Sequence, residues 1–219
     1  MILLLIVCVF YFLSYKTLEK ETLDYERNHY YAATYITPNL STEGKETTIF
    51  GEATYIGCYK NRLLNLNTSS KLWSIHPISQ KKLIVEMTPN APSSTVRVWT
   101  NKKLKTPKEA FDFLNPTYLT YGTYNNGIFK FHQIATEKQK EISHTVRKII
   151  SHKPSFTKTL TINGEAVNEI YFNENVNQSL VLQASLVKAK DGKVYMVFSG
   201  HTGKIDYWEV SEELLKLLR

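Results

Sequence analysis

From Thr47 the chain alternates apolar and polar positions with period two, and β-branched and aromatic residues dominate in TTIFGEATYIGCY, KLWSIHPI, KKLIVEMT and STVRVWT. Asn, Ser and Pro clusters separate these runs, so the stretch reads as successive strands. The pattern then changes. Thr106-Pro107-Lys108-Glu109 offers an N-cap, a proline at the first helical position and a capping-box Glu, which predicts a short helix over EAFDFL that stops before Asn115-Pro116. Asn126-Gly127 should turn a hairpin between YLTYGTY and IFKFHQ.

A second helix is expected from Thr136, with Gln139 completing another capping box and Ile142, Val146, Ile149 and Ile150 as its apolar stripe. It should end near Pro154. Asn163-Gly164 and Asp191-Gly192 predict two further hairpins, the latter joining SLVLQASLVKA to KVYMVFS. A tight Ser199–Gly203 loop leads into KIDYWEV, and Ser211-Glu212-Glu213 caps a last helix, LLKLL. Strands, helix, hairpin, helix, strands, helix is the order of an α+β domain with a largely antiparallel sheet and two or three short helices.

The start of the chain departs from both periods. Residues 2–15 (ILLLIVCVFYFLSY) are apolar on every face and closed by Lys16, which favours lipid over a surface helix. At about 1.5 Å per residue, 14 residues reach about 21 Å, short of a bilayer core of about 30 Å. Extension through Leu18, with Lys16 snorkelling, brings the run to a marginal spanning length. No basic residue precedes it and Leu13-Ser14-Tyr15 makes a poor cleavage site, so the expectation is an uncleaved membrane-anchoring helix over 1–18. Lys16, Lys20 and Arg27 taken alone would place the body in the cytoplasm, but a start codon assigned too late would have removed upstream cations. The reading therefore favours a single-pass protein of the cell membrane with an extracytoplasmic body. Residues 19–46 then form a juxtamembrane helix and linker, and 47–219 the globular domain, with a sub-lobe boundary conceivable near 153.

Composition narrows the chemistry. Two cysteines in 219 residues exclude a disulfide scaffold, and the absence of a CxxC, HxH or HExxH spacing predicts no metal site and no cofactor. GxSxG, Walker A, GxGxxG and kinase signatures are missing as well. The net charge of +7 is uneven: residues 16–100, 101–160 and 161–219 carry +2, +7 and −2. Lys102, Lys103, Lys105 and Lys108 precede the first helix, while Lys138, Lys140, Arg147, Lys148, Lys153 and Lys158 lie on or after the second. Converging in space, the two groups would make a basic face. Lys102, Lys103, Lys105, Lys140, Arg147, Lys148 and Lys153 are its candidate ligand-binding residues, facing an anionic cell-surface polymer, lipid headgroups or another envelope protein.

Phe129 and Phe131 alternate beside Lys130 as on a base-stacking strand, but an anchored body disfavours nucleic acid. The reading that follows is a membrane-anchored, non-enzymatic binding or accessory module. The alternative is an anchored hydrolase centred on His201 in its Ser-Gly-His-Thr-Gly loop, with Cys58 or Asp206 as further catalytic candidates. Asn39, Asn67 and Asn177 stand in Asn-x-Ser sequons, which matter only in a glycosylating host.

Overall fold

The computed structural model describes residues 21–43, 46–60, 69–87, 96–125, 128–159, 164–200 and 203–218. The chain divides into two compact units, 1–32 with 54–103, and 33–53 with 104–219.

The first unit is a six-stranded sheet in the order β1-β2-β9-β8-β7-β6, antiparallel from β1 through β7. Its strands are β1 (Thr22–Tyr25), β2 (Asn28–Ala32), β6 (Ala53–Lys60), β7 (Ser69–Ile75), β8 (Leu83–Met87) and β9 (Val96–Thr100). Leu23, Tyr30, Leu72, Ile84 and Trp99 build one core cluster, against which Tyr25, Ala32 and Ile56 pack. On β8 the consecutive residues Leu83, Ile84 and Val85 are all fully buried, so both faces of that strand are shielded from water. Two polar atoms of this core find partners, Trp99 Nε1 donating to Glu86 Oε2 at 2.8 Å and the Tyr30 hydroxyl to the Gln80 carbonyl at 2.9 Å, while Trp73 Nε1 is buried without one among the described residues.

The second unit pairs a sheet in the order β11-β10-β13-β14-β15-β16-β12 with three helices. Its strands are β10 (Tyr118–Asn125), β11 (Ile128–Gln133), β12 (Phe156–Lys158), β13 (Gly164–Asn173), β14 (Leu180–Ala189), β15 (Val194–Phe198) and β16 (Ile205–Glu209). The helices are α1 (Pro107–Leu114), α2 (Thr136–Ser151) and α3 (Glu212–Leu217). Strand β3 (Thr37–Pro38) adds to β14, while β4 (Leu40–Glu43) and β5 (Glu46–Ile49) form a separate hairpin. Cross-strand register sorts the side chains of the large sheet onto two faces. Leu119, Phe172 and Leu182 lie on one, with Ile170 and Ala184 beside them; the Phe111 ring of α1 meets Phe172 edge-on at 5.1 Å, which marks this as the helix-covered face.

Several local expectations hold. Thr106 caps α1 with a reciprocal capping box to Glu109, and left-handed Asn115 ends it ahead of Pro116. Helix α2 ends at Ser151, before Pro154, and Ser211 caps α3. Other expectations are corrected. The expected α+β class with an anchoring helix is corrected: the described residues are mostly antiparallel β-sheet, with three short helices among them. Among the described residues no helix is long and apolar enough to cross a membrane, and the apolar run over 1–18 lies outside them. The longest described helix, α2, has 16 residues and carries Glu137, Lys138, Lys140, Glu141, Arg147 and Lys148, an amphipathic composition unsuited to lipid. The membrane-anchored, single-pass placement with an extracytoplasmic body is corrected with it.

Over 22–32 the helix expected to continue past Lys16 is replaced by the β1–β2 hairpin. Its turn residues Glu26 and Arg27 have φ of 46° and 63°, the conformation that matches strand twist, without the Gly or Asn that usually announces it. Asn163, of the expected Asn163-Gly164 hairpin, lies outside the described residues; among those described, β12 pairs with β16 and β13 with β10 and β14. Helix α2 is capped by Ala135 without a side-chain bond. Gln139 is drawn inward, its Oε1 accepting from Leu119 N at 3.1 Å and its Nε2 donating to the Ile134 carbonyl at 2.7 Å.

Candidate functional site

The basic segment is anchored by α1 and α2. Helix α1 buries Pro107, Ala110, Phe111 and Leu114, and α2 buries Gln139, Ile142, Val146 and Ile150, at the i, i+3, i+4 spacing of amphipathic helices. Where their exposed flanks meet, Arg147 Nε contacts Asp112 Oδ1 at 3.1 Å and Nη2 donates to Asn115 Oδ1 at 3.4 Å. Its guanidinium also lies 5.3 Å from the centre of the Phe111 ring. Lys108 Nζ holds the other oxygen of Asp112 at 2.6 Å. Arg147 thus joins two helices, and its charge is shared with a carboxylate and an aromatic face.

The outward stripe of α2 carries Glu137, Lys140, Glu141, His144 and Lys148, all exposed, and Lys153 is exposed just beyond its end. Lys140, Lys148 and Lys153 make no ion pair with any described residue. Lys140 and Lys148 stand two turns apart, about 12 Å along the axis. Lys105 is exposed at the start of α1, with its backbone N–H donating to Glu109 Oε2 at 2.6 Å. Lys102 and Lys103 belong to the first unit, where Lys103 Nζ pairs with Glu21 Oε2 at 3.3 Å. The seven candidate cations therefore divide: three on or just after α2 stand clear, Lys105 sits at α1, Arg147 bridges helices, and two lie in the other unit.

Of the candidate catalytic residues, two lie among the described ones. Cys58 is exposed on β6 of the first unit, its Sγ 2.9 Å from the Tyr55 hydroxyl, and the Tyr55 ring meets Trp73 edge-on at 5.6 Å. Asp206 lies on β16 of the second unit and accepts from the Thr157 hydroxyl at 2.5 Å. Burial raises the Tyr35 hydroxyl above its ordinary value, and the Asp206 charge adds to this. His201 lies outside the described residues. Among the described residues no group of three His, Cys, Asp or Glu side chains could hold a metal ion.

Two arrangements go beyond what the sequence singled out. Glu174, buried at the β13–β14 turn, accepts from Ser179 N at 2.6 Å and Leu180 N at 2.8 Å. Burial raises its carboxyl above the ordinary glutamate value, although hydrogen bonds from the backbone of Leu180, Glu174 and Ser179 and from the Ser179 hydroxyl favour the charged form. The second is the sheet face opposite the helices. Phe131 is 65% exposed there and its ring lies 5.5 Å from that of Tyr171, a partner the sequence did not indicate. No protein-family profile, curated protein or solved structure matches the chain.

Proposed function

We propose that the chain is a non-enzymatic binding module whose second unit meets an anionic partner through Lys140, Lys148 and Lys153. The observation that carries the reading is the contrast between these three exposed cations and Arg147 and Lys108, whose charges are committed to Asp112. Cations that already have a carboxylate gain little from a second anion, whereas solvated lysines can exchange counterions for a polyanion. The hydrolase reading has weaker support, because the Asp206 carboxylate is already engaged by the Thr157 hydroxyl.

Retention of the full chain on a heparin matrix tests the proposal. Each cation in contact with a linear polyanion adds about 0.7–0.9 to the slope of log affinity against log salt. The variant K140Q/K148Q/K153Q should therefore flatten that slope by about two while its melting temperature stays close to the parent's. An unchanged slope, or retention insensitive to salt in the parent, overturns the reading.

A further inference from the structure

We propose that the helix-free face of the second unit's sheet, at β11, β10, β13 and β14, is a platform for a neutral oligosaccharide, with Phe131 and Tyr171 as its stacking surface. Cross-strand register places two rows of side chains on this face: Gln133, Thr120, Tyr171 and Gln183 in one, and Phe131, Gly122, Glu169 and Ser185 in the other. The Phe131 and Tyr171 rings touch across the rows, and the Tyr171 hydroxyl donates to Glu169. Beside them, the side-chain amides of Gln133 and Gln183 make no hydrogen bond to a described residue.

The chemistry of these groups selects the ligand. An amide offers donors and an acceptor together, and a carboxylate accepts, which suits a ligand dense in hydroxyls. An exposed aromatic face gives the apolar C–H side of a sugar ring a surface to cover, the mixture of aromatic area and few polar groups typical of small-ligand sites. Charge decides against the other stacking ligand, a single-stranded nucleic acid. By strand alternation Lys130 and His132 point to the opposite side of β11, so the two rows contain one charge, the carboxylate of Glu169, and no cation. A phosphate backbone lying along this face would meet an anion where it needs cations. The platform is separate from the lysines of α2, which lie on a helix of the other face.

Native affinity electrophoresis of the full chain through gels containing soluble mixed-linkage β-glucan, arabinoxylan, galactomannan or amylose tests the inference. At least one polysaccharide should retard the parent. F131A should weaken that interaction about tenfold and Q183A several-fold, while K140Q/K148Q/K153Q leaves it unchanged. Both substituted side chains reach solvent, and the Q183A arm keeps the test open should F131A fold poorly. Absence of retardation in all four gels overturns the inference, as does retardation that survives both variants. Salt-sensitive binding of a 20-nucleotide oligo(dT), lost in F131A, would instead assign the platform to single-stranded nucleic acid and equally overturn it.

Discussion

Replacing Arg147 by alanine separates a structural cation from a ligand-binding one. The side chain is 44% exposed and its partner Asp112 40%, so solvent screens their contact and the pair contributes about 0.2–1 kcal/mol. The guanidinium over Phe111 adds about 0.5–1 kcal/mol at such an exposed site. The 3.4 Å contact to Asn115 is long and adds little. The expected loss is about 1–2 kcal/mol, which for a chain of this size lowers the melting temperature by about 2–8 °C. Arg147→Lys should recover less than half of it, because an ammonium has no planar fork to hold Asp112 while facing the ring. Heparin retention of R147A should change by much less than that of the triple lysine variant, and part of its stability deficit should vanish at 1 M salt, where the ion pair is screened in the parent too. If R147A melts with the parent and flattens the salt slope as much as a lysine substitution, the helix-bridging role is wrong and Arg147 belongs to the binding face.

Two further outcomes follow from the junction at the β13–β14 turn. Because the Glu174 carboxyl is raised in the folded state, the native protein binds its proton more readily than the unfolded chain. The stabilisation it gives is fully present below about pH 4 and fades as pH rises through the raised folded value. The stability of the parent relative to E174Q, measured by melts from pH 4 to 8, should fall with pH; a difference that is flat or grows with pH would contradict this. Gly51 has φ of 81°, and a Cβ there would come within 2.3 Å of the Asn177 carbonyl oxygen and 2.5 Å of Ser179 Oγ. G51A should cost more than about 2 kcal/mol, from the left-handed backbone and the displaced turn together. Faster amide exchange at Asn39 and Glu52, which donate to the Ser179 carbonyl and hydroxyl, should accompany it, and a loss under 0.5 kcal/mol would show that the turn yields freely.

What the sequence disclosed was what is decided within a few residues. Thr106, Pro107 and Glu109 make a cap that needs nothing from elsewhere, and α1 forms where they predict. Gln139 belongs to the same grammar, yet its amide is taken by Leu119 and Ile134, and the helix is capped without it. The β1–β2 turn was hidden because Glu26 and Arg27 adopt a conformation their side chains do not advertise. A turn dipeptide such as Asn163-Gly164 carries no word of distant pairing, and the described strands on either side of it, β12 and β13, find their partners in β16 and in β10 and β14. The charge count located the cations but not their fates. Asp112 and Glu21 remove Arg147, Lys108 and Lys103 through contacts set by tertiary packing or by one helical turn. Of the alternating phenylalanines, Phe131 reaches solvent because the helices cover the other side of the sheet.

The threading of the chain sets an order for its birth. It leaves the first unit after Ala32, enters the second, returns at Thr54 and crosses again after Lys103, so neither unit is a continuous stretch that could be excised with a single cut. On a ribosome the first sheet can close once β9 has emerged. Thr37 and Pro38, by contrast, must wait for Val181 and Leu180, and Asn39 for Ser179, before their backbone finds its partners. Residues 37–39 are thus synthesised early and paired late, uncommitted while more than a hundred others are added, whereas β4 and β5 can pair with each other as soon as both exist. A nascent chain stalled far enough beyond Lys103 for β9 to have left the ribosome, but before β14 is made, should therefore resist protease over the strands of the first sheet and be cut within 33–39.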